Sequence, residues 1–336
     1  MSSIGVIGAG AWGTAVAVHL CRMGHDVFLW AYEAELVRTM IEDRENVSFL
    51  PGASLPEGLK PTTDMAEACN ADIVVIACPS RFFRDIIMEA ADYISDDAIV
   101  VSLTKGIEDN SLLLLSEVYA QVRSREALDR FVVLSGPSFA KEVVESYPTD
   151  VVVACESDDI ARKVQQEFHA PFFRVYSSDD LVGVQLGGAV KNVIAVAAGG
   201  CDGLGLGLNA RAALITRGLA EIARLGIAMK ANPLTFLGLA GMGDLILTCT
   251  GDLSRNRTLG WRVAKGESPK EVIESTSAVA EGYYSTRATY RLAEKLGVDM
   301  PITGLVYSVL YEDKSIQDAI RSLMTREFKD ELRGIS

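Results

Sequence analysis

The first thirteen residues narrow the fold of this chain more than any other feature. Ser3-Ile-Gly-Val-Ile7 is a short apolar run that passes straight into Gly8-Ala-Gly10-Ala-Trp-Gly13 and then into small and apolar residues with helical character. In the GxGxxG spacing one glycine allows a tight turn after a strand, a second lets the backbone approach a ligand, and a third packs the following helix close to the strand. The N-terminus of that helix offers backbone N–H groups with no intrahelical partner, together with the positive end of the helix dipole. Both suit a pyrophosphate. Glycines punctuate many turns, so the spacing alone is weak. Here it opens the chain, follows a strand, and leads through a helix to a second apolar run at Val27–Trp30. That context predicts a dinucleotide-binding turn built on Gly8, Gly10 and Gly13.

The pattern continues for half the chain. Further strands are expected at Asp72–Ala77, Ile99–Leu103, Phe131–Leu134, Asp150–Ala154 and Phe173–Tyr176, rich in Val and Ile with little polar alternation. Such runs suit strands covered on both faces, and the helical patterns between several of them make βαβ units of a mostly parallel sheet. After Ser178 the strand signal stops. Helical stretches follow at Leu181–Gly199, Ala210–Leu225, Pro269–Ser275, Thr286–Leu296 and Ile316–Leu323. The chain therefore reads as a Rossmann-type α/β domain over residues 1–179 and an all-α domain over 180–336. A length of 336 residues fits two cores better than one.

Composition limits the partners. A net charge of −13 argues against nucleic acid or an anionic membrane surface, and means that an anionic ligand needs its own basic pocket. The six cysteines form no CxxC pair and sit mostly in apolar runs, as expected of buried thiols in a reducing compartment. The start of the chain has no basic segment before an apolar one, so no signal peptide is read there. The longest apolar stretch, Ala189–Gly200, is interrupted by Lys191 and Asn192 and is too short to span a bilayer. These features predict a cytoplasmic protein with no membrane insertion.

Hydride chemistry at a carbinol carbon needs a group that carries the hydroxyl proton. The three histidines, His19, His25 and His169, fall in no motif and read as structural. Lys191 stands out instead. It lies in Gly187-Gly-Ala-Val-Lys191-Asn192, within a helix apolar almost all round. Burial there would depress the lysine pKa toward a useful range, whereas the bland alternative is a lysine that snorkels to the surface. Asp244, in Gly241-Met-Gly243-Asp244, opens a short apolar helix and reads as an N-cap or an acid. Ser254-Arg255-Asn256-Arg257 sets a guanidinium fork beside a helix start, suited to a phosphate monoester, although a solvated helix start would look the same. Lys105, and Gly136 with Ser138, follow strands at their C-terminal ends, where open α/β sheets bind ligands. Glu33 lies twenty residues beyond Gly13. It is either a carboxylate for the nucleotide ribose or an exposed acid opening the next helix with Glu35.

Taken together, IGAGAWGTA, SLTKGIE, LSGPSFAKE, GVQLGGAVKNVIA, NARAALITRGLAE, GMGDLILTCT, SRNR, AEGYYST and MPIT resemble, in order, the motifs of bacterial NAD(P)-dependent glycerol-3-phosphate dehydrogenase, from residue 3 to about residue 325. That family interconverts sn-glycerol 3-phosphate and dihydroxyacetone phosphate, chiefly supplying the former for phospholipid synthesis. The resemblance implies that Lys191 accepts the proton during oxidation, with Asp244, Asn192 and Thr248 orienting it and the substrate hydroxyls. Ser254, Arg255 and Asn256 would hold the substrate phosphate, with Lys105, Gly136 and Ser138 on the opposite wall. Ala11, Trp12, Tyr32, Lys105, Ala140, Arg255, Val279 and Glu281 would line the dinucleotide site. There are two departures from the family: Ala11 replaces a frequent Ser, and Tyr32-Glu33 replaces a His-Arg or His-Asp pair. The second favours NAD over NADP, because Glu33 would repel an additional ribose phosphate.

Two rival readings differ in what they require. Another two-domain Rossmann dehydrogenase, acting on a sugar acid or 3-hydroxyacid, would also use an arginine fork. A catalytically idle NAD-sensing module would keep the glycine turn without Lys191, Asp244 and Arg255. A homodimer is compatible with the sequence, but no residue pattern specifies one.

Overall fold

The computed structural model describes residues 1–275 and 280–325. It forms two compact units, one of Met1–Thr104 with Leu115–Leu181, the other of Lys105–Leu114 with the chain from Val182 onward. The linear reading placed residues 105–114 with the sheet; the structure groups them with the helices.

The first unit carries ten strands: β1 (Ser3–Ile7), β2 (Asp26–Trp30), β3 (Glu45–Asn46), β4 (Leu50–Ser54), β5 (Leu59–Thr62), β6 (Ile73–Ile76), β7 (Ile99–Ser102), β8 (Phe131–Ser135), β9 (Thr149–Ala154) and β10 (Phe173–Ser178). Eight form one sheet in the order β10-β9-β8-β7-β6-β1-β2-β5. All its pairs are parallel except β8 with β9. The β-branched runs of β6 and β7 are buried at every residue, as a strand covered on both faces must be. From β1 the chain first winds outward to β2 and β5, then returns to build β6, β7 and β8 on the other side. The winding direction reverses between β1 and β6, where open α/β sheets bind ligands beyond their strand ends.

Strands β3, β4 and β5 were not expected. Pro51 and Gly52 interrupt β4 and Pro61 lies within β5, so neither run has a strand signature. An edge strand tolerates proline because one side of its backbone pairs with nothing. β5 is that edge, and β3 and β4 pair only with each other.

The second unit is helical: Leu181–Gly203, Gly207–Ala228, Asp244–Thr250, Arg255–Ala264, Pro269–Glu274, Glu281–Leu296, Pro301–Tyr311 and Ile316–Met324. Pro301–Tyr311 was missed because its apolar run, with Thr, Gly and Val interspersed, has no helical periodicity to read. The helix carrying Lys191 corrects a second expectation. At 23 residues with a mean hydropathy of 1.6 it is long and apolar enough to cross a bilayer, yet 89% of that window is buried inside the protein. Leu186, Val190, Val193 and Ile194 have no solvent exposure and form the centre of the helical core.

This helix is rich in glycine because other backbones lie against it. A Cβ on Gly187 would fall 2.4 Å from the Ala240 carbonyl oxygen, and one on Gly199 would fall 1.9 Å from that of Arg257. The first contact places the segment leading to Asp244, and the second places the helix that begins with Arg255. Neither backbone can yield as a flexible side chain would. Gly199→Ala is therefore expected to lower stability by about 1–3 kcal/mol. A urea midpoint shift with unchanged slope would measure the effect, and an unchanged midpoint would refute the close contact.

Candidate active site

At the end of β1, Gly8 adopts φ +118°, a conformation that favours glycine. A Cβ on Gly13 would sit 2.0 Å from the Gly8 carbonyl oxygen, whereas one on Gly10 would meet nothing within 4 Å. Gly10 is the N-cap of the helix Ala11–Arg22 and offers no side-chain cap, and the first turn contains no acid. The leading N–H groups of that helix are thus uncapped beside open space, and an anion fits there. Ala11 and Trp12 are partly buried against the sheet core. The Trp12 indole Nε1 is buried with no hydrogen-bond partner among the described residues.

Beyond β2, Tyr32 is 82% exposed. Glu33 is exposed too and is the N-cap of the helix Ala34–Glu42, but its carboxylate makes no capping bond. Beyond β8, Gly136 is buried with φ +129°, the Ser138 hydroxyl donates to the Gly136 carbonyl at 3.0 Å, and Ala140 begins a short helix. All these residues lie in the first unit, around the C-terminal ends of β1, β2 and β8.

In the second unit a single carboxylate serves two lysines. The Lys191 ammonium donates to Asp244 Oδ1 and, at 2.9 Å, to Thr248 Oγ1. The Lys105 ammonium donates to Asp244 Oδ2 at 2.6 Å. The Thr248 hydroxyl donates to the Asp244 carbonyl at 2.7 Å, so it meets Lys191 as an acceptor. Lys191 is 6% exposed and Asp244 1%. Asp244 opens the helix Asp244–Thr250 directly after a π-helical turn, Leu239–Gly243. Such single wide turns recur at functional sites because they re-aim the residue that follows.

Burial sets the electrostatics. It drives the Lys191 pKa down to about 7, helped by the Lys105 charge and opposed by Asp244. Burial also raises Asp244, but the two neighbouring ammonium groups outweigh it and hold the carboxyl below its usual range. Lys191, the more buried of the two lysines, is thus brought near neutrality chiefly by its burial.

Lys105 enters this unit on a docked segment. Ile107 and Leu114 are buried in the helical core and pair across an antiparallel bridge. The Asp109 carboxylate accepts from Arg287 at 2.6 Å, and its backbone carbonyl from Arg291 at 3.1 Å. The structure joins Lys105 and Lys191 to one aspartate.

The Ser254–Arg257 group divides by role. Ser254 caps its helix by accepting from the Arg257 N–H at 3.2 Å. Asn256 is buried; it donates to Asn192 at 2.8 Å and accepts from the Gly282 N–H at 2.8 Å. Arg257 is held by Asp202 at 2.7 Å and Asp252 at 2.9 Å. Arg255 is exposed and forms no hydrogen bond or ion pair among the described residues. Protein on one side disfavours its charge, and Glu281, the first residue of its helix, offsets part of that. Of the two arginines, Arg255 is thus the one available to an external anion. Val279 lies outside the described residues. Sequence reasoning missed Asp202, Asp109 and Arg287, because nothing local marks an ion pair between residues far apart in the chain.

Comparison with known proteins finds relatives over nearly the whole chain. A family profile described as NAD-dependent glycerol-3-phosphate dehydrogenase N-terminus matches residues 3–161, and its C-terminus counterpart matches residues 180–321. The glycerol-3-phosphate dehydrogenase [NAD(P)+] of Citrifermentans bemidjiense is 51% identical over 98% of both chains. That of Geobacter sulfurreducens is 52% identical over the same shares. The crystal structure of glycerol-3-phosphate dehydrogenase from Coxiella burnetii superposes with a TM-score of 0.92 at 39% identity, covering 97% of this chain and 99% of that one.

Asp244→Asn would leave two ammonium groups around a neutral amide. Breaking a buried ion pair on one side costs about 3–5 kcal/mol. Lys191 escapes part of this by staying neutral, which costs more at low pH, where the unfolded lysine is protonated. Unfolding by urea at pH 6 and pH 9 is expected to show the larger loss at pH 6. An equal loss at both would mean that Asp244 does not govern the lysine charge.

Proposed function

This chain belongs to the NAD-dependent glycerol-3-phosphate dehydrogenase family, and on that footing we propose that Lys191 carries the proton in the interconversion of sn-glycerol 3-phosphate and dihydroxyacetone phosphate. The observation that carries this reading is the buried Lys191–Asp244 pair with the partly buried Lys105 on the same carboxylate. Oxidation removes a hydride from C2 and a proton from its hydroxyl; a nicotinamide dinucleotide held at the Gly8–Gly13 turn would supply the hydride acceptor. Neutral Lys191 takes the proton. Protonated, it polarises the ketone and gives the proton back. Asp244 stays ionised and aims the amine, Thr248 fixes its second hydrogen bond, and Lys105 balances the aspartate so that Lys191 can be neutral.

Residues 1–179 form the dinucleotide domain in this reading, with the Gly8–Gly13 turn and the helix start at Ala11 holding the pyrophosphate. Ala11, Trp12, Tyr32, Glu33 and Ala140 would line that site, with Gly136 and Ser138 beyond β8. Residues 180–336 form the substrate domain, in which Arg255 reads the phosphate and Ser254, Asn192 and Asn256 hold the helix start that presents it. The exposed carboxylate of Glu33 favours NAD, whose ribose hydroxyls can donate to it, over NADP. The reaction supplies glycerol phosphate for phospholipid synthesis in the cytoplasm, which fits six cysteines with no disulfide among them. A homodimer through the helical unit completes the proposal, and the exposed side chains of Leu234 and Leu237 offer it apolar contacts.

NADH oxidation with dihydroxyacetone phosphate, compared with unphosphorylated dihydroxyacetone, tests the assignment. Charge-assisted bonds are worth about 1.5–3 kcal/mol each, so Arg255→Ala should lower kcat/KM for the phosphorylated ketone by roughly 10- to 100-fold. The unphosphorylated ketone should lose far less. Equal losses on both would show that Arg255 does not read the phosphate.

A further inference from the structure

The hairpin of β3 and β4 carries a buried polar residue that the reaction does not use. Asn46 has no solvent exposure. Its amide nitrogen donates to the Ala9 carbonyl at 2.8 Å and to Thr14 Oγ1 at 2.8 Å, and its amide oxygen accepts from the Phe49 N–H at 3.0 Å. The amide orientation is unambiguous, because a carbonyl can only accept and an N–H can only donate. Thr14 Oγ1 adds a further bond to the Ala9 carbonyl, at 3.3 Å. Two donors therefore converge on one carbonyl, in the middle of Gly8-Ala9-Gly10.

The geometry points to Asn46 as a positioning residue for the dinucleotide, acting through the direction of the Gly10 N–H. The Ala9–Gly10 peptide is trans and planar, so its carbonyl and its N–H point in opposite directions. With the carbonyl held inward by Asn46 and Thr14, the Gly10 N–H is fixed outward. Gly10 has room around it and begins the uncapped helix. Glycines leave such a peptide free to rotate, and an anion that had to stop the rotation would bind less tightly. Asn46 removes that freedom before the ligand arrives. The inference rests on reading this turn as the pyrophosphate site.

The test compares Asn46→Asp, which keeps the size and the acceptor for Phe49 but loses both donors, with Thr14→Val, which removes one donor to Ala9. NADH binding is followed by fluorescence, adenosine binding by competition, and NADH oxidation by steady-state kinetics. Losing such bonds should weaken NADH about tenfold in Asn46→Asp and about threefold in Thr14→Val, with the effect on KM for NADH and not on kcat. Adenosine, which carries no phosphate, should bind both variants as it binds the parent. NADH affinity within about twofold of the parent in folded variants overturns the inference, as does an equal loss for adenosine. If Asn46→Asp does not fold, Thr14→Val decides on the same readouts. Failure of the unaltered protein to bind NADH would instead overturn the reading of the turn itself.

Discussion

One buried carboxylate between two lysines is the interaction around which the helical unit is arranged. Lys191 and Asp244 are buried and Lys105 is partly so, and the one carboxylate is shared between the two ammonium groups. Desolvation leaves Lys191 titrating near neutrality. The surrounding architecture serves this arrangement. Gly187 lets the Ala240 backbone close on the lysine helix, the π-helical turn aims Asp244, and the docked segment at 105–114 delivers Lys105.

In the proposed reading the two units would bind anions by different physics. At the glycine turn the donors are backbone N–H groups of a helix start, held in place by neighbours that never touch the ligand. At Arg255 the donor would be one guanidinium without an ion pair among the described residues, beside a second, Arg257, that is neutralised by Asp202 and Asp252. In a chain of net charge −13, both are local exceptions to the prevailing field. Affinity for phosphate would therefore rest on a few placed donors working against the overall charge.

Much of this was legible in the sequence, for identifiable reasons. The glycine turn, the parallel strands and the isolated lysine in an apolar helix are local patterns, and each appears where its period or spacing placed it. Long-range pairings were not legible. Lys105 and Asp244 are 139 residues apart, and nothing near either one announces the other. Asn46 sits in a hairpin whose proline and glycine erase the strand signature, so its bond to Ala9 had no local trace. The SRNR motif read as one anion fork, yet three of its four side chains are engaged within the protein. Only partners brought by the fold distinguish them.

The central claim is that burial poises Lys191 near neutrality and that the charge of Lys105, which shares its aspartate, lowers its pKa further. The pH dependence of kcat/KM for glycerol 3-phosphate oxidation, which reports ionisations of the free enzyme and substrate, tests it most directly. The unaltered protein should gain activity as pH rises through about 7, where Lys191 loses its proton. Lys105→Met removes a charge that depresses Lys191, so the rising limb should move to higher pH at reduced activity. Ionisation of the substrate phosphate is common to both proteins and cancels in the comparison. A limb that stays in place, or moves to lower pH, would contradict the account.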